Sequence, residues 1–399
     1  MWGNTLTLVT LIYLIQGIGV SYVGNIYKPA LEHIGLNNVL QGIVVSLVLV
    51  PFLLKIPLDR LTQRGLRAQT ISIGSLIGTL ISACLVFLTL PATPMLVSSL
   101  LFIIILCIAV CDVGADGIAV DRSTSQFGFK NTIKIQAMMF TARALGIAIG
   151  AILFTILNRL GQDSLSFLVY MFVFLAITWT SRNFSLAPPA HSSQKNYTRF
   201  TRSDFLQLCK VSVAGALAFM VWGAVETLSS SIPNSPAIQF ANQDFSDPVG
   251  SAMRTTGIIA ASLWIYRSAI SFRNKTAVAA SFMLSISCMV LLVTESIPIY
   301  LASQFIYGFA LTTVFVWLTS IIVRNANPKY GSLSFTLVAT LCNIGFIISP
   351  TLFGIIGASY GEGIFALCVS TTATTLGIYI LFVFGRPFIT HLAKQGSRV

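Results

Sequence analysis

Long apolar runs, each broken by charged residues or by Pro, Gly and Asn, recur along the whole chain of 399 residues. A helix rises 1.5 Å per residue, so a run of about 20 apolar residues crosses a hydrocarbon core about 30 Å thick. The breaks predict twelve such spans, near 5–27, 39–58, 69–90, 95–118, 133–157, 165–182, 204–230, 248–270, 276–294, 298–323, 331–357 and 363–385. No sizeable water-soluble domain fits between them. The run from Thr5 follows no basic segment and precedes no small-residue cleavage site, so it reads as a retained first span.

Composition agrees with the pattern. Hydrophobic residues make up 55% of the chain and charged residues 9%, with a mean hydropathy of +0.85. Soluble domains carry roughly 25% charged residues, which excludes a soluble globular protein. The 24 Lys and Arg against 12 Asp and Glu would fit a nucleic-acid binder only with a basic face on a water-soluble fold, so no nucleic acid is expected. In a membrane chain excess base marks the cytoplasmic side. Twenty of the cations fall in segments that alternation puts on one side, Lys28 and Arg159 fall on the other, and Arg143 and Arg254 lie within spans. Both termini are therefore expected in the cytoplasm, with the bacterial inner membrane as the location if the source is bacterial. The seven cysteines sit in or beside apolar runs and read as packing residues. Cys107 and Cys111 are four apart with no His or further Cys nearby, so neither a metal nor a cofactor is expected.

Ser181 to Asp204 holds Pro188-Pro189 and a Ser, Gln, Asn, Lys and Arg-rich stretch, which reads as a cytoplasmic linker over 183–203. It separates residues 1–182 from 204–385, two six-helix bundles of equal length, with a tail over 386–399. Such halves are related by a pseudo-twofold axis along the membrane normal, and the expectation is an all-α membrane fold of the major facilitator type. Gly74 with Gly78, and Gly146 with Gly150, have the spacing that lets helix backbones approach closely.

Charges within the spans mark candidate machinery. Asp112 and Asp116, on one face of the fourth span, lie at the same depth as Arg143 on the fifth, about 13 Å above the cytoplasmic helix ends. Two carboxylates against one Arg leave one acid in surplus, able to carry a proton; a fixed ion pair joining the two helices is the plainer alternative. After the second span, Lys55, Asp59, Arg60 and Arg64 form a candidate cytoplasmic gate, in which Asp59 latches the two bundles. Glu226 and Arg254, near the outer ends of spans seven and eight, form a candidate outer gate or a simple rim contact. Gln16, Tyr22, Asn25, Gln304, Tyr307, Trp317 and Asn343 are candidates to line a polar cavity between the halves. No row of cations and no aromatic cluster marks that cavity.

The stretch Pro51-Phe52-Leu53-Leu54-Lys55, with Pro57-Leu58-Asp59-Arg60, resembles a signature of the muropeptide permease (AmpG-like), acetyl-CoA transporter and folate-biopterin transporter branch. Asp112-Val113-Gly114-Ala115-Asp116-Gly117 is similar to that branch's fourth span, Asp121 matches its further acid, and Arg143-Ala144-Leu145-Gly146 resembles its fifth-span motif. Spans two to five carry the likeness. The aromatic that the branch places between Lys and Pro is missing here, and the span-5 signature of drug/proton antiporters is absent.

The expected activity is secondary transport of a small organic solute by alternating access, as proton-coupled import through a monomer in the lipid bilayer. A membrane prenyltransferase would also carry an Asp-x-x-x-Asp cluster to hold Mg²⁺ on a diphosphate, but needs a second acidic cluster on the same side. The other close acid pair, Asp244 and Asp247, falls on the opposite side, so no enzyme is expected. A transporter-like receptor would bind without exchanging solute.

Overall fold

Backbone polar groups in a bilayer must be satisfied within the segment, and for apolar runs this length the solution is helix. A computed structural model of the chain describes residues 2–23, 38–62, 67–86, 94–126, 128–160, 165–182, 202–228, 246–268, 274–294, 296–325 and 331–384. The helices are α1 (Trp2–Tyr22), α2 (Asn38–Leu49), α3 (Lys55–Thr62), α4 (Arg67–Val86), α5 (Pro94–Gln126), α6 (Gly128–Arg159) and α7 (Ser166–Arg182). They continue with α8 (Arg202–Leu228), α9 (Ser246–Ser268), α10 (Asn274–Val293), α11 (Ile297–Asn325), α12 (Gly331–Tyr360) and α13 (Glu362–Phe384). Among the described residues nine stretches are long and apolar enough to cross a membrane, and Thr7–Tyr22 and Ser166–Arg182 are shorter apolar helices. The remaining long helix, α9, carries Asp247, Arg254 and Arg267. Large apolar side chains such as Leu47, Ile73, Leu80, Ile156, Phe172 and Phe382 face outward, while others fill the interior. Helices apolar on both faces suit a lipid surround.

The second span is two helices and not the single run its hydropathy predicts. Pro51 has no N–H to donate to the preceding turn, and the chain tightens there into a 3-10 turn over Val50–Leu54 before α3 resumes.

Counting α2 and α3 as one span, helix pairing repeats six spans along. As α1 packs on α6, α8 packs on α12; as α4 packs on α7 and α5, α10 packs on α13 and α11. Hydroxyls repeat as well: Ser75 and Thr178 join α4 to α7 at 2.8 Å, and Ser285 joins α10 to Ser370 and Thr374 of α13 at 2.8 Å. Among the described residues the sets meet chiefly where α6 packs on α9 and α11, and where α2, α3 and α5 pack on α12.

The crossing of α2 on α12 is built at Pro350. It cannot donate to the carbonyl of Phe346, which instead accepts from Ser349 Oγ at 3.0 Å. Next to this break the Ile347 carbonyl accepts from Ser46 Oγ at 2.6 Å. A Cβ on Gly42 would press on the Pro350 carbonyl, so only glycine lets the helices meet here. Within the first half the same rule holds for Gly17 and Gly146, whose added Cβ atoms would land on the carbonyls of Arg143 and Leu14. Gly74 and Gly78 pack on Val110 and Phe174, and Gly150 packs on Ser21.

Candidate functional site

Lys55 follows directly on the 3-10 turn, and the residue is buried with 5% exposure. Its ammonium forms an ion pair with Asp112 and stands 3.5 Å from Asp116 Oδ2. The two carboxylates share a face of α5 because they are four residues apart. From α1, Tyr13 Oη donates to Asp116 Oδ1 at 2.5 Å, and Gln16 Nε2 donates to Asp112 Oδ2 at 3.1 Å. Tyr13 and Gln16 are one turn apart, so a single helix face serves both acids. A lone charge at the centre of a bilayer costs about 2.5–3.5 kcal/mol on insertion scales. Mutual pairing and donated hydrogen bonds offset that cost.

These residues line an inner cavity of about 60 Å³ between the two sets of helices. The first set contributes Tyr13, Gln16, Lys55, Asp112, Asp116, Gln136, Phe140 and Arg143. Facing them are Phe219, Phe315, Leu318, Thr319 and Asn343, among others.

A second cavity of about 30 Å³ lies beside Arg143 and Arg254, with Phe140, Ala144, Ile147, Trp222, Ser251, Thr255, Ile258, Leu311, Thr312 and Phe315 around them. Both spaces are large enough for water and too small for an organic solute, since solute pockets run to about 300–1,000 Å³. Phe140, Arg143 and Phe315 line both. Phe140 and Phe315 stack across the two sets at 5.3 Å with 15° between their planes. Phe315 also touches Phe219 at 4.7 Å and Trp222 at 5.5 Å, and Trp222 touches Phe346 at 4.9 Å.

Each arginine lies against an aromatic face. Arg143 Cζ is 4.1 Å from the ring centre of Trp222, and Arg254 Cζ is 5.6 Å from that of Tyr307. Arg254 Nε donates to Gln304 Oε1 at 2.9 Å, and Gln304 Nε2 donates to Tyr300 Oη at 2.9 Å. That relay sets the plane of the guanidinium. Gly308 packs on the Arg254 carbonyl as Gly17 packs on that of Arg143, so both arginines stand where a glycine brings helices close.

Several sequence expectations change. Lys55, expected at the cytoplasmic gate, joins the acids instead, because the 3-10 turn and its long stem carry the ammonium inward. The count of two carboxylates against one Arg therefore becomes two against two, and the surplus acid disappears. Asp59 is fully buried on α3, which packs against both α5 and α12. The side chains of Arg60 and Glu226, and all of Arg64 and Asn25, lie outside the described residues. Arg254 is not a rim residue: it is 6% exposed and lines the second cavity.

Gln16 and Asn343 line the inner cavity, where Asn343 Nδ2 donates to the Phe52 carbonyl across the interface at 3.3 Å. Tyr22 instead packs within the first half against Phe154 at 5.3 Å and Phe167 at 5.1 Å. Trp317 donates to Asn274 Oδ1 at 3.3 Å and packs edge-on against Phe384, which makes it a bundle residue. Gln304 and Tyr307 position Arg254. The rings gathered around Phe315 contradict the expectation of a cavity without an aromatic cluster. Tyr13, Gln136, Phe140, Trp222 and Phe315 are cavity residues that the charge and hydropathy pattern does not single out; the i,i+3 spacing of Tyr13 to Gln16 and of Phe140 to Arg143 is the local signal that points to two of them.

A family profile described as Major Facilitator Superfamily matches residues 9–350. No curated protein matches the sequence. Among solved structures, the crystal structure of the human organic anion transporter MFSD10 (TETRAN) resembles this fold with a TM-score of 0.74 at 14% identity, covering 94% of this chain and 99% of that one. At that identity the likeness is one of fold.

Proposed function

This chain belongs to the major facilitator superfamily, and we propose on that premise that it imports a small organic solute by alternating access, coupled to protons. It is an integral, multi-pass membrane transporter and not an enzyme. Its two working units are residues 1–182 and 204–385, joined by the linker 183–203, a division supported by the repeat of helix pairing six spans along. Both termini face the cytoplasm, as twenty basic residues against two argue, and the bacterial inner membrane is the location if the source is bacterial. The proposed working unit is a monomer, because both halves of the interface belong to one chain. Within the superfamily the motifs around Lys55, Asp59, Asp112 and Asp116 favour the muropeptide permease, acetyl-CoA and folate-biopterin branch.

The observation that carries the coupling is the buried Lys55–Asp112–Asp116 cluster on the interface cavity. A proton arriving on one carboxylate weakens its hold on Lys55 and changes the charge facing Arg143, Gln136 and the opposite half. Such a change of charge alters which arrangement of the two halves is favoured, the requirement for coupling. Tyr13 and Gln16 orient the carboxylates for that exchange.

The test compares two modes of transport in proteoliposomes, using a solute found by thermal stabilisation of the purified protein. Asp112→Asn or Asp116→Asn is expected to abolish accumulation driven by an inward proton gradient while sparing counterflow, which moves no net proton. Full gradient-driven accumulation in both variants would remove the cluster from coupling.

A further inference from the structure

We infer that Asp112 is the carboxyl that takes the proton, on Oδ1, and that Gln16 is the positioning residue whose Oε1 accepts the O–H so formed. The inference rests on the proposed proton coupling and assigns its site.

The four carboxylate oxygens of the cluster share their donors unevenly. Asp116 Oδ1 accepts from Tyr13, and Asp116 Oδ2 lies 3.5 Å from Lys55 Nζ. Asp112 Oδ2 takes both Lys55 Nζ and Gln16 Nε2. Asp112 Oδ1 meets no donor, although the residue is fully buried. The titratable groups around it come from several helices: Tyr13 from α1, Lys55 and Asp59 from α3, Arg143 from α6 and Cys342 from α12, with Asp116 and Cys111 on α5 itself. None of them gives Oδ1 a hydrogen bond.

Gln16 shows the matching need. The residue is 4% exposed, its Nε2 is engaged with Asp112 Oδ2 at 3.1 Å, and its Oε1 meets no donor either. Two acceptors, one on each member of a bonded pair, cannot satisfy each other, and a buried acceptor without a donor is unfavourable. A proton on Asp112 Oδ1 resolves both. A carboxylic acid and a primary amide pair through two bonds, the amide N–H to one carboxyl oxygen and the acid O–H to the amide oxygen. The first of these is already made. Both residues line the inner cavity, which is large enough for water to bring the proton and take it away.

Asp116 is the poorer receiver. Each of its oxygens already faces a donor, so a proton there competes with Tyr13 or Lys55. On Asp112 Oδ1 it displaces nothing. Lys55 also keeps an anionic partner, because Asp116 Oδ2 stands within reach when Asp112 becomes neutral. The step is one proton added to a carboxylate to give the acid, and the same proton returned to water after the halves rearrange.

The test records infrared difference spectra, acid minus alkaline, on the full chain in proteoliposomes, with no solute added. Comparing parent and variant cancels the surface carboxyls. The expected result is a protonated-carboxyl band at the acid end of the titration that Asp112→Asn loses and Asp116→Asn keeps. Gln16→Leu should keep the band and move it to higher frequency, since the acid O–H has lost its acceptor; a residue that only packs would leave the frequency alone. Each variant is first checked for a monodisperse, folded state. If Asp112→Asn does not fold, Asp112→Glu carries the assignment by shifting the same band.

Retention of the band in Asp112→Asn, or its loss from Asp116→Asn, would overturn the choice of Asp112, and an unmoved band in Gln16→Leu would overturn the part given to Gln16. An Asp112 band together with full gradient-driven accumulation in both Asn variants would instead overturn the coupling reading and leave the proton site standing. Accumulation abolished in both variants with no band from Asp112 would do the reverse.

Discussion

At the scale of single residues, Lys55 decides the character of the buried cluster. It is a cation that reaches both Asp112 and Asp116, a partnership that its place in the Pro51–Lys55 motif does not itself reveal. Replacing Lys55 with Met leaves two carboxylates facing each other without their bridging ammonium. Removing one partner of a buried pair costs about 3–5 kcal/mol, so the variant should melt well below the parent. Adding Asp112→Asn to Lys55→Met restores the balance of charge and should recover part of the loss. A thermal melt of the three proteins checks this, and a double variant no more stable than Lys55→Met would argue against the pair as the source. Tyr13 offers a milder test: Tyr13→Phe removes one hydrogen bond to Asp116 and should cost about 1.5–3 kcal/mol, the range for a hydrogen bond to a charged group.

At the scale of elements, the crossings of α1 on α6 and of α9 on α11 hold the arginines in place through glycine. A Cβ at Gly146 meets the Leu14 carbonyl, a backbone atom that cannot rotate away. Gly146→Val should therefore push α1 from α6, with a stability loss of about 1–3 kcal/mol from overpacking. It should also disturb the stacking of Arg143 on Trp222, because the arginine lies one turn earlier on the same helix. Tryptophan emission and the melting temperature report the two effects separately. By contrast Gly357 has open space around it, and Gly357→Ala should leave both measurements near the parent values. The 3-10 turn at Pro51 is the other decisive element. It breaks the second span at the place that delivers Lys55 inward and leaves α3 against α12.

At the scale of the molecule, the two sets of helices meet along α6 with α9 and α11 and along α2, α3 and α5 with α12. Alternating access requires one of these seams to loosen at a time. Asp59 is buried on α3 at the second seam, and the latch expected of it from the sequence is a proposal that one substitution tests. Asp59→Asn should shift the population towards an inward-open arrangement while leaving insertion intact. Spectroscopic distances across the cytoplasmic mouth measure it, and distances equal to the parent's would reject the latch. The overall orientation has its own check: a cysteine placed near Ser192 should resist impermeant labels applied outside intact cells and react once the membrane is opened.

That the chain is a succession of long apolar helices, with a few charges inside them, was legible in the sequence. The bilayer explains why: its thickness is a fixed ruler, and a charge inside it is costly enough to stand out. Asp112, Asp116, Arg143 and Arg254 were visible for that reason. The partners of those charges were not. Lys55 reaches the acids through a turn whose geometry no hydropathy pattern records, and Trp222 and Phe315 look like any other packing residues in a chain with 5 Trp and 28 Phe. Arg143 and Arg254 lie 111 positions apart and come to one cavity only when α6 meets α9. Local periodicity reports which face of a helix is apolar; it carries no information about which distant helix will cover that face, and that choice belongs to tertiary packing.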